Sequence, residues 1–371
     1  VKIQMKEEGI SYNPSEGGLA TGLGSIYKQG GNLWIGWPGM YVDDIQTRDE
    51  ITNNLREENM SPIFLTKEDI RDFYEGFSNE TLWPIFHYFL EYAEYDRNLW
   101  EAYVRVNQKF CEEIIKYAEP GDTLWVHDYQ LMLLPQMIRE RLENANIGFF
   151  LHIPFPSYEV FRLLPWRREI LNGLLGSDLV GFHTYDDMRH FLSSVERIVG
   201  LSNTQGHIET GKRTLVVDSF PMGIDYDKYS NTARSEETIA KANTYKESIK
   251  DCKLVVSIDR LDYSKGIPQR LNAYEMFLEQ YPEFRGKITL FMVVVPSRDQ
   301  VEKYKALKEE VDEMVGRING RYGRVAWTPI HYFYRSFPLP SLSAFYRLAD
   351  VALVTPMRDG MNLVCKEYVA S

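Results

Sequence analysis

Arg260 and Lys265 lie in one short run, Ser257-Ile258-Asp259-Arg260-Leu261-Asp262-Tyr263-Ser264-Lys265-Gly266. Arginine offers a planar fork of donors and lysine a compact point charge, a combination suited to a diphosphate. The run follows Leu254-Val255-Val256, an apolar strand pattern. A helical pattern comes next, with Pro268 near its first turn, where a missing N–H costs little. Leu271, Tyr274, Leu278 and Tyr281 then recur at helical spacing. Strand, tight polar turn and helix follow one another. In an open α/β sheet such a turn lies at the carboxyl edge of the strands, where ligands bind. The first backbone N–H groups of the helix point to the same edge. As a pattern alone, an ordinary strand–helix turn with two solvated cations fits equally well.

A second turn answers the first. Val351-Ala352-Leu353-Val354 is a short buried-strand pattern, followed by Thr355-Pro356-Met357-Arg358-Asp359-Gly360-Met361-Asn362-Leu363 and helix formers through Glu367. A carboxylate in the first turns of a helix beside a nucleotide can accept hydrogen bonds from ribose hydroxyls. Without the other turn, Glu367 reads as an exposed helix acid.

Other chemistry is weaker. Asp225-Tyr226-Asp227 has the Asp-x-Asp form that many sugar-nucleotide enzymes use to hold a divalent metal. Three residues are a nonspecific signal, and a turn is the preferred reading. His127, His152, His183 and His331 end strand patterns or lie beside them, and no two have zinc-site spacing. No serine or cysteine has a nucleophile-elbow signature. No carboxylate pair of the kind a retaining glycosidase needs is evident.

These residues must be held by ordinary elements. With 371 residues, two domains are the natural expectation. Thr66-Lys67-Glu68-Asp69 has a capping-box pattern that starts a helix carrying Tyr74. Leu99–Tyr117 is amphipathic, and strands are expected at 123–126, 147–151, 179–182, 214–217, 287–295, 325–327 and 351–354. Strands alternating with helices imply an α/β fold with parallel, doubly wound sheets. The polar stretch from about Asp225 to Asp251 is the weakest. It places the division at 1–235 and 236–371.

Composition narrows the classes. Hydrophobic content of 44% suffices for globular cores, and aromatics reach 13%, with 24 Tyr and 7 Trp. Ring faces pack cores, and they also meet sugar C–H groups. The formal charge of −11 makes a poor nucleic-acid binder, so cations for a phosphorylated ligand must be concentrated locally. Cys111, Cys252 and Cys365 are odd in number and far apart, which suits reduced thiols of a cytoplasmic protein. No uncharged apolar run reaches transmembrane length and no signal peptide is evident, so no membrane partner is expected.

The two turns together resemble glycosyltransferase family 20, the trehalose-6-phosphate synthases. Further stretches similar to family motifs are Gly17-Gly18-Leu19-Ala20-Thr21-Gly22-Leu23, Trp34-Ile35-Gly36-Trp37-Pro38-Gly39, and Phe77-Ser78-Asn79 through Leu82-Trp83-Pro84. Trp125-Val126-His127-Asp128-Tyr129, Phe150-Leu151-His152-Ile153-Pro154-Phe155-Pro156 and Gly316-Arg317-Ile318-Asn319-Gly320 continue the series in family order across nearly the whole chain. The resemblance implies a GT-B fold, two Rossmann-like domains facing a central cleft. It implies retaining transfer of glucose from UDP-glucose to glucose 6-phosphate, giving α,α-trehalose 6-phosphate. No cofactor and no metal are implied, because Arg260, Lys265 and helix N-termini take the metal's place at the diphosphate. A homo-oligomer is left open.

By motif match the resemblance also assigns roles. Arg260, Lys265, His152 and Asp359 would form the catalytic set, with His152 as a sugar ligand rather than a titrating base. Gly17, Gly18, Phe337, Leu363, Val364 and Glu367 would join the two cations at the donor. Trp37, Tyr74, Trp83, Asp128 and Arg298 would take the acceptor, with Arg298 as its phosphate clamp. Read alone, Trp37, Tyr74 and Trp83 are more often core or rim aromatics. The family motif Asn-Arg-Leu-Pro is absent, and both ends of the chain look cut. Two alternatives stand beside the synthase: a silent regulatory subunit, and a transferase with another phosphorylated acceptor. Retention of the cation pair and Glu367 speaks against the first, and intact Tyr74, Trp83 and Arg298 against the second.

Overall fold

The computed structural model describes residues 2–6, 9–13, 31–211, 213–249, 252–298 and 301–371. Gly17 and Gly18, with the rest of their motif, lie outside the described residues. The chain divides into two compact units, Val1–Met222 and Gly223–Ser371. The boundary expected at 235/236 lies one helix further on, past Tyr226–Arg234.

The first unit opens with an antiparallel hairpin, β1 (Lys2–Lys6) and β2 (Gly9–Asn13), and a parallel pair, β3 (Trp34–Gly36) and β4 (Met60–Pro62). Its main sheet holds β5 (Thr123–His127), β6 (Asn146–Phe150), β7 (Leu179–Phe182), β8 (Asn203–Thr204), β9 (His207–Glu209) and β10 (Thr214–Ser219). The order is β5-β6-β7-β10-β9-β8. The first four strands run parallel, and β9 and β8 continue antiparallel. Because β5, β6 and β7 run the same way, His127, His152 and His183 come to one edge of the sheet. Behind them packs an aromatic core in which Phe77, Tyr103 and Phe155 are wholly buried. Each such ring contributes roughly 1.5–3 kcal/mol over exposure.

Thr66 does form a capping box, with Asp69 as the reciprocal residue: Asp69 N donates to Thr66 Oγ1 at 3.0 Å and Thr66 N to Asp69 Oδ2 at 3.3 Å. Burial alone would raise the Asp69 carboxyl, but Lys109 and Arg105 outweigh it and hold it below the usual carboxylate range. The helix so anchored continues over Ile70–Leu82 as a π-helix, a rare winding that accompanies functional segments. It carries Tyr74 and delivers Trp83.

The second unit holds one four-stranded parallel sheet: β11 (Lys253–Arg260), β12 (Ile288–Val295), β13 (Ile330–Tyr334) and β14 (Val351–Ala352), in the order β13-β12-β11-β14. Its core joins Leu254, Val256 and Ile258 of β11 to Phe291, Val293, Phe345 and Tyr346. Helices Ile267–Gln280 and Glu302–Tyr322 supply the crossovers. The expected strand at 325–327 is instead a tight turn closed by paired Arg324 and Trp327, with Val325 fully exposed. Val325-Ala326-Trp327 is bounded by Gly323-Arg324 and Thr328-Pro329 and includes an alanine, a poor strand former. The strand of that region is β13.

Candidate active site

In the second unit the two turns named from sequence meet. Arg260 is the last residue of β11 and is exposed. Asp262 then shapes the turn: its carboxylate accepts from Ser264 N at 2.9 Å, and its carbonyl from Lys265 N at 3.1 Å. Gly266 follows at φ +64°, where a side chain is strained. A Cβ there would lie 3.0 Å from the Thr355 carbonyl and 3.1 Å from Met357 Cγ. Glycine is therefore required for conformation and for the close approach of the second turn. The Ser264 carbonyl accepts from Met357 N at 2.8 Å and Arg358 N at 3.2 Å, joining the turns backbone to backbone.

Side chains reinforce the joint. Lys265 Nζ lies 2.5 Å from Asp359 Oδ2, both largely buried. Asp359 also accepts from Gly360 N at 3.0 Å and from Asn362 Nδ2 at 3.1 Å. Arg270, which sequence reasoning missed, is 3% exposed beneath them. It donates to Ser257 Oγ and Asp259 Oδ2, both at 2.6 Å, to the Lys265 carbonyl at 3.1 Å and to Thr355 Oγ1 at 3.0 Å. One guanidinium thus binds the strand, the first turn and the second turn. An arginine within an amphipathic helical pattern gives no signal of this.

The remaining donor candidates of this unit lie on its helices and core. Leu363 precedes the helix Val364–Ala370 and its carbonyl accepts from Glu367 N at 2.9 Å. Val364 packs on the core, as does Phe337, whose ring lies beneath the Arg335 guanidinium at 4.5 Å. Glu367 is half-buried, not the exposed acid of the plainer reading. Arg298 follows β12 at φ +52°, a rare conformation for a non-glycine residue. Its guanidinium is 7% exposed and donates to Asp262 Oδ2 at 3.0 Å and to the Tyr304 hydroxyl. The intended phosphate clamp is thereby tied to the carboxylate that shapes the donor turn.

In the first unit, Asp128 follows β5 at φ +73° and accepts from Tyr129 N at 3.0 Å and His152 N at 3.3 Å. Positive φ outside glycine is concentrated at ligand sites, where the fold must hold it. Here Tyr129 is fixed by its hydroxyl on Asn79 Oδ1 at 2.8 Å, and its carbonyl by Tyr103 at 2.7 Å. His152 Nε2 lies 3.1 Å from His127 Nδ1, and its ring meets His183 edge-on at 5.5 Å. Burial pushes His152 down to about 4. Trp37 and Tyr74 pack ring to ring at 5.0 Å beside a cavity of about 460 Å³ that Lys67 and Arg71 also line. Trp83 is 4% exposed, stacked 4.0 Å from His87 and 5.6 Å from Tyr129.

Asp225 of the Asp-x-Asp run is the N-cap of the helix Tyr226–Arg234, accepting from Lys228 N at 3.0 Å. Among the described residues, no three His, Cys, Asp or Glu side chains are grouped to hold a metal ion, and no helix is long and apolar enough to cross a membrane.

A parallel sheet ending in two joined turns, with cations at the strand ends, is an arrangement that can hold a phosphorylated ligand. Residues 1–371 match the model of glycosyltransferase family 20, and the chain belongs to that family. It is 47% identical over 379 residues to the UDP-forming α,α-trehalose-phosphate synthase of Pichia angusta, spanning all of this chain and 79% of that protein. The solved trehalose-phosphate synthase of Burkholderia xenovorans with glucose-6-phosphate superposes with TM-score 0.88 at 35% identity, covering 96% of this chain and 79% of that one. An E. coli structure bound with UDP-2-fluoro glucose gives TM-score 0.87 at 35% identity, covering 97% and 80%. The fold class is α/β of the GT-B type.

Proposed function

We propose that this chain is a retaining glucosyltransferase that moves glucose from UDP-glucose to glucose 6-phosphate, giving α,α-trehalose 6-phosphate and UDP. The observation that carries this reading is 47% identity, across all of this chain and 79% of the relative, to a UDP-forming α,α-trehalose-phosphate synthase. The donor turns are intact beside it, with Arg260, Lys265, Asp359, Leu363 and Glu367 all in place.

The diphosphate is assigned to Arg260, Lys265 and the N-terminus of the helix Ile267–Gln280. Charge accumulating on the leaving phosphate oxygen is stabilised by fixed donors, with no protein nucleophile. That oxygen takes the acceptor hydroxyl's proton on the face where the new bond forms, so configuration is retained. His152 and Asp359 are assigned to the donor glucose, and Gly17, Gly18, Phe337, Leu363, Val364 and Glu367 to the rest of the donor. Asp128, Trp37, Tyr74, Trp83 and Arg298 are assigned to the acceptor. Binding of its remote phosphate serves to position the sugar. No metal takes part in this scheme. The reading includes a cytoplasmic location, supported by the scattered cysteines, and a protein free of nucleic acid, supported by the charge of −11.

The test is incubation with UDP-glucose and glucose 6-phosphate, with the product examined by NMR. A doubly α-linked phosphorylated disaccharide formed in step with UDP is expected. UDP release without that disaccharide would overturn the assignment.

A further inference from the structure

Glu367 has both carboxylate oxygens engaged before any ligand arrives. The Tyr229 hydroxyl donates to Oε1 at 3.0 Å and the Tyr346 hydroxyl donates to Oε2 at 2.9 Å. The two phenols come from different helices, Tyr226–Arg234 and Leu339–Leu348, and meet Glu367 on a third, Val364–Ala370. Both tyrosines are buried, at 6% and 3% exposure. Core tyrosines seek partners, so helix-to-helix ties alone would explain one such bond. Two bonds converging on one carboxylate, one to each oxygen, in addition fix its orientation.

We propose that Tyr229 and Tyr346 are positioning residues that preset the Glu367 carboxylate as a two-point acceptor for a ribose diol. The proposal rests on the reading of Glu367 as the ribose-hydroxyl acceptor. An ionised carboxylate has about four acceptor sites, two on each oxygen. Each phenol occupies one site on its own oxygen and leaves a second one open. The open pair matches the two O–H donors of a vicinal diol, one to each oxygen. Phenols suit this task better than lysine or arginine, because they fix the carboxylate and leave its negative charge for the ligand. Burial, with the adjacent carboxylate, pushes both phenols above their ordinary range, so they remain donors throughout the working pH range. The glutamate torsions are thereby fixed in advance, and the ligand does not bear that ordering cost.

The experiment compares UDP with 2′,3′-dideoxy-UDP by calorimetry on the full chain, in wild type, Tyr229→Phe, Tyr346→Phe and the double variant. Wild type should prefer UDP by about tenfold or more, since stranding a buried acceptor is costly. Each single variant should lose about three- to tenfold in UDP affinity, with the dideoxy nucleotide unchanged. The double variant should bind both nucleotides nearly alike. Thermal unfolding of each variant checks that the fold persists. If wild type fails to discriminate, the ribose role of Glu367 is wrong and the proposal goes with it. If wild type discriminates and the double variant keeps that preference, the positioning role alone is overturned. Equal loss for both nucleotides in the variants would also overturn it, because it would mark the phenols as packing groups.

Discussion

His127 and His152 share a single hydrogen bond: Nδ1 of His127 lies 3.1 Å from Nε2 of His152. One ring donates its N–H and the other accepts, so protonating the acceptor breaks the bond. Burial holds His152 down at about 4, and burial together with His152 holds His127 at about 3. In the unfolded chain both return to about 6.5. Below that pH the unfolded state binds more protons, so the pair's contribution is complete above about 6.5 and is lost as pH falls toward about 4. The melting midpoint of wild type should fall across this window, and His152→Asn should fall less steeply. Parallel pH profiles for the two proteins would refute this account.

Arg260 and Lys265 differ in what their removal exposes. Arg260 is exposed at the end of β11, whereas Lys265 neutralises the largely buried Asp359. A charge-assisted hydrogen bond is worth about 1.5–3 kcal/mol, or about ten- to more than a hundredfold in kcat/KM. Both alanine variants should lose activity on that scale with UDP-glucose. Lys265→Ala alone should also lower the melting temperature, since it strands a carboxylate. Steady-state kinetics and a melting curve on each variant decide the point, and unchanged kcat/KM would remove the residue from the diphosphate site.

Asp225 predicts a dissociation of stability from metal. As an N-cap its replacement by Ala should cost about 0.5–2 kcal/mol of stability. Activity should persist in wild type after exhaustive chelation. Denaturant titration measures the first effect and assay in excess chelator the second. Loss with chelator and rescue by magnesium or manganese would return the Asp-x-Asp run to metal binding.

Arg298→Lys tests the acceptor clamp. A lysine cannot reproduce a fork to two phosphate oxygens. The KM for glucose 6-phosphate should rise about ten- to a hundredfold at ~1.5–3 kcal/mol, with UDP affinity changing little. Asp262 complicates the design usefully. It receives Arg298 at 3.0 Å and shapes the donor turn through Ser264, so a leak into UDP binding would travel by this carboxylate. Equal losses for both substrates would therefore assign Arg298 to the support of the donor turn.

The strand–turn–helix over Lys253–Gln280 was legible because its signals agree: the apolar run Leu254-Val255-Val256, then Gly266 and Pro268. Leu271, Tyr274 and Leu278 of the helical pattern are buried. Tyr281 is not, because the helix stops at Gln280, before Pro282. β13 was hidden because Ile330–Tyr334 reads as a mixed aromatic and histidine run without clear alternation. Arg270, Tyr229 and Tyr346 were hidden for another reason. Their side-chain partners lie 11 to 138 positions away, and spacing along a chain says nothing of convergence at such range. The π-winding of Ile70–Leu82 was likewise invisible, since its residues still recur at near-helical spacing.

The strand that leads into the second turn is short. β14 has two residues, paired as Val255–Val351 and Val256–Ala352, and its flanks add Asp350 N to the Leu254 carbonyl at 2.9 Å and Leu353 N to the Val256 carbonyl at 2.8 Å. Edge segments with so few ladder bonds open first in the native state, at a free energy well below global unfolding. On the proposed assignment a nucleotide spans both turns and needs that edge closed, so occupancy should oppose its opening by mass action. At a hundredfold excess over Kd this adds about 2.7 kcal/mol. Amide exchange would show it as slowed deuterium uptake concentrated in Val351–Ser371, with β12 and β13 hardly altered. A donor bound as proposed would then brace the shortest strand of this sheet, beside the bonds that already join the two turns.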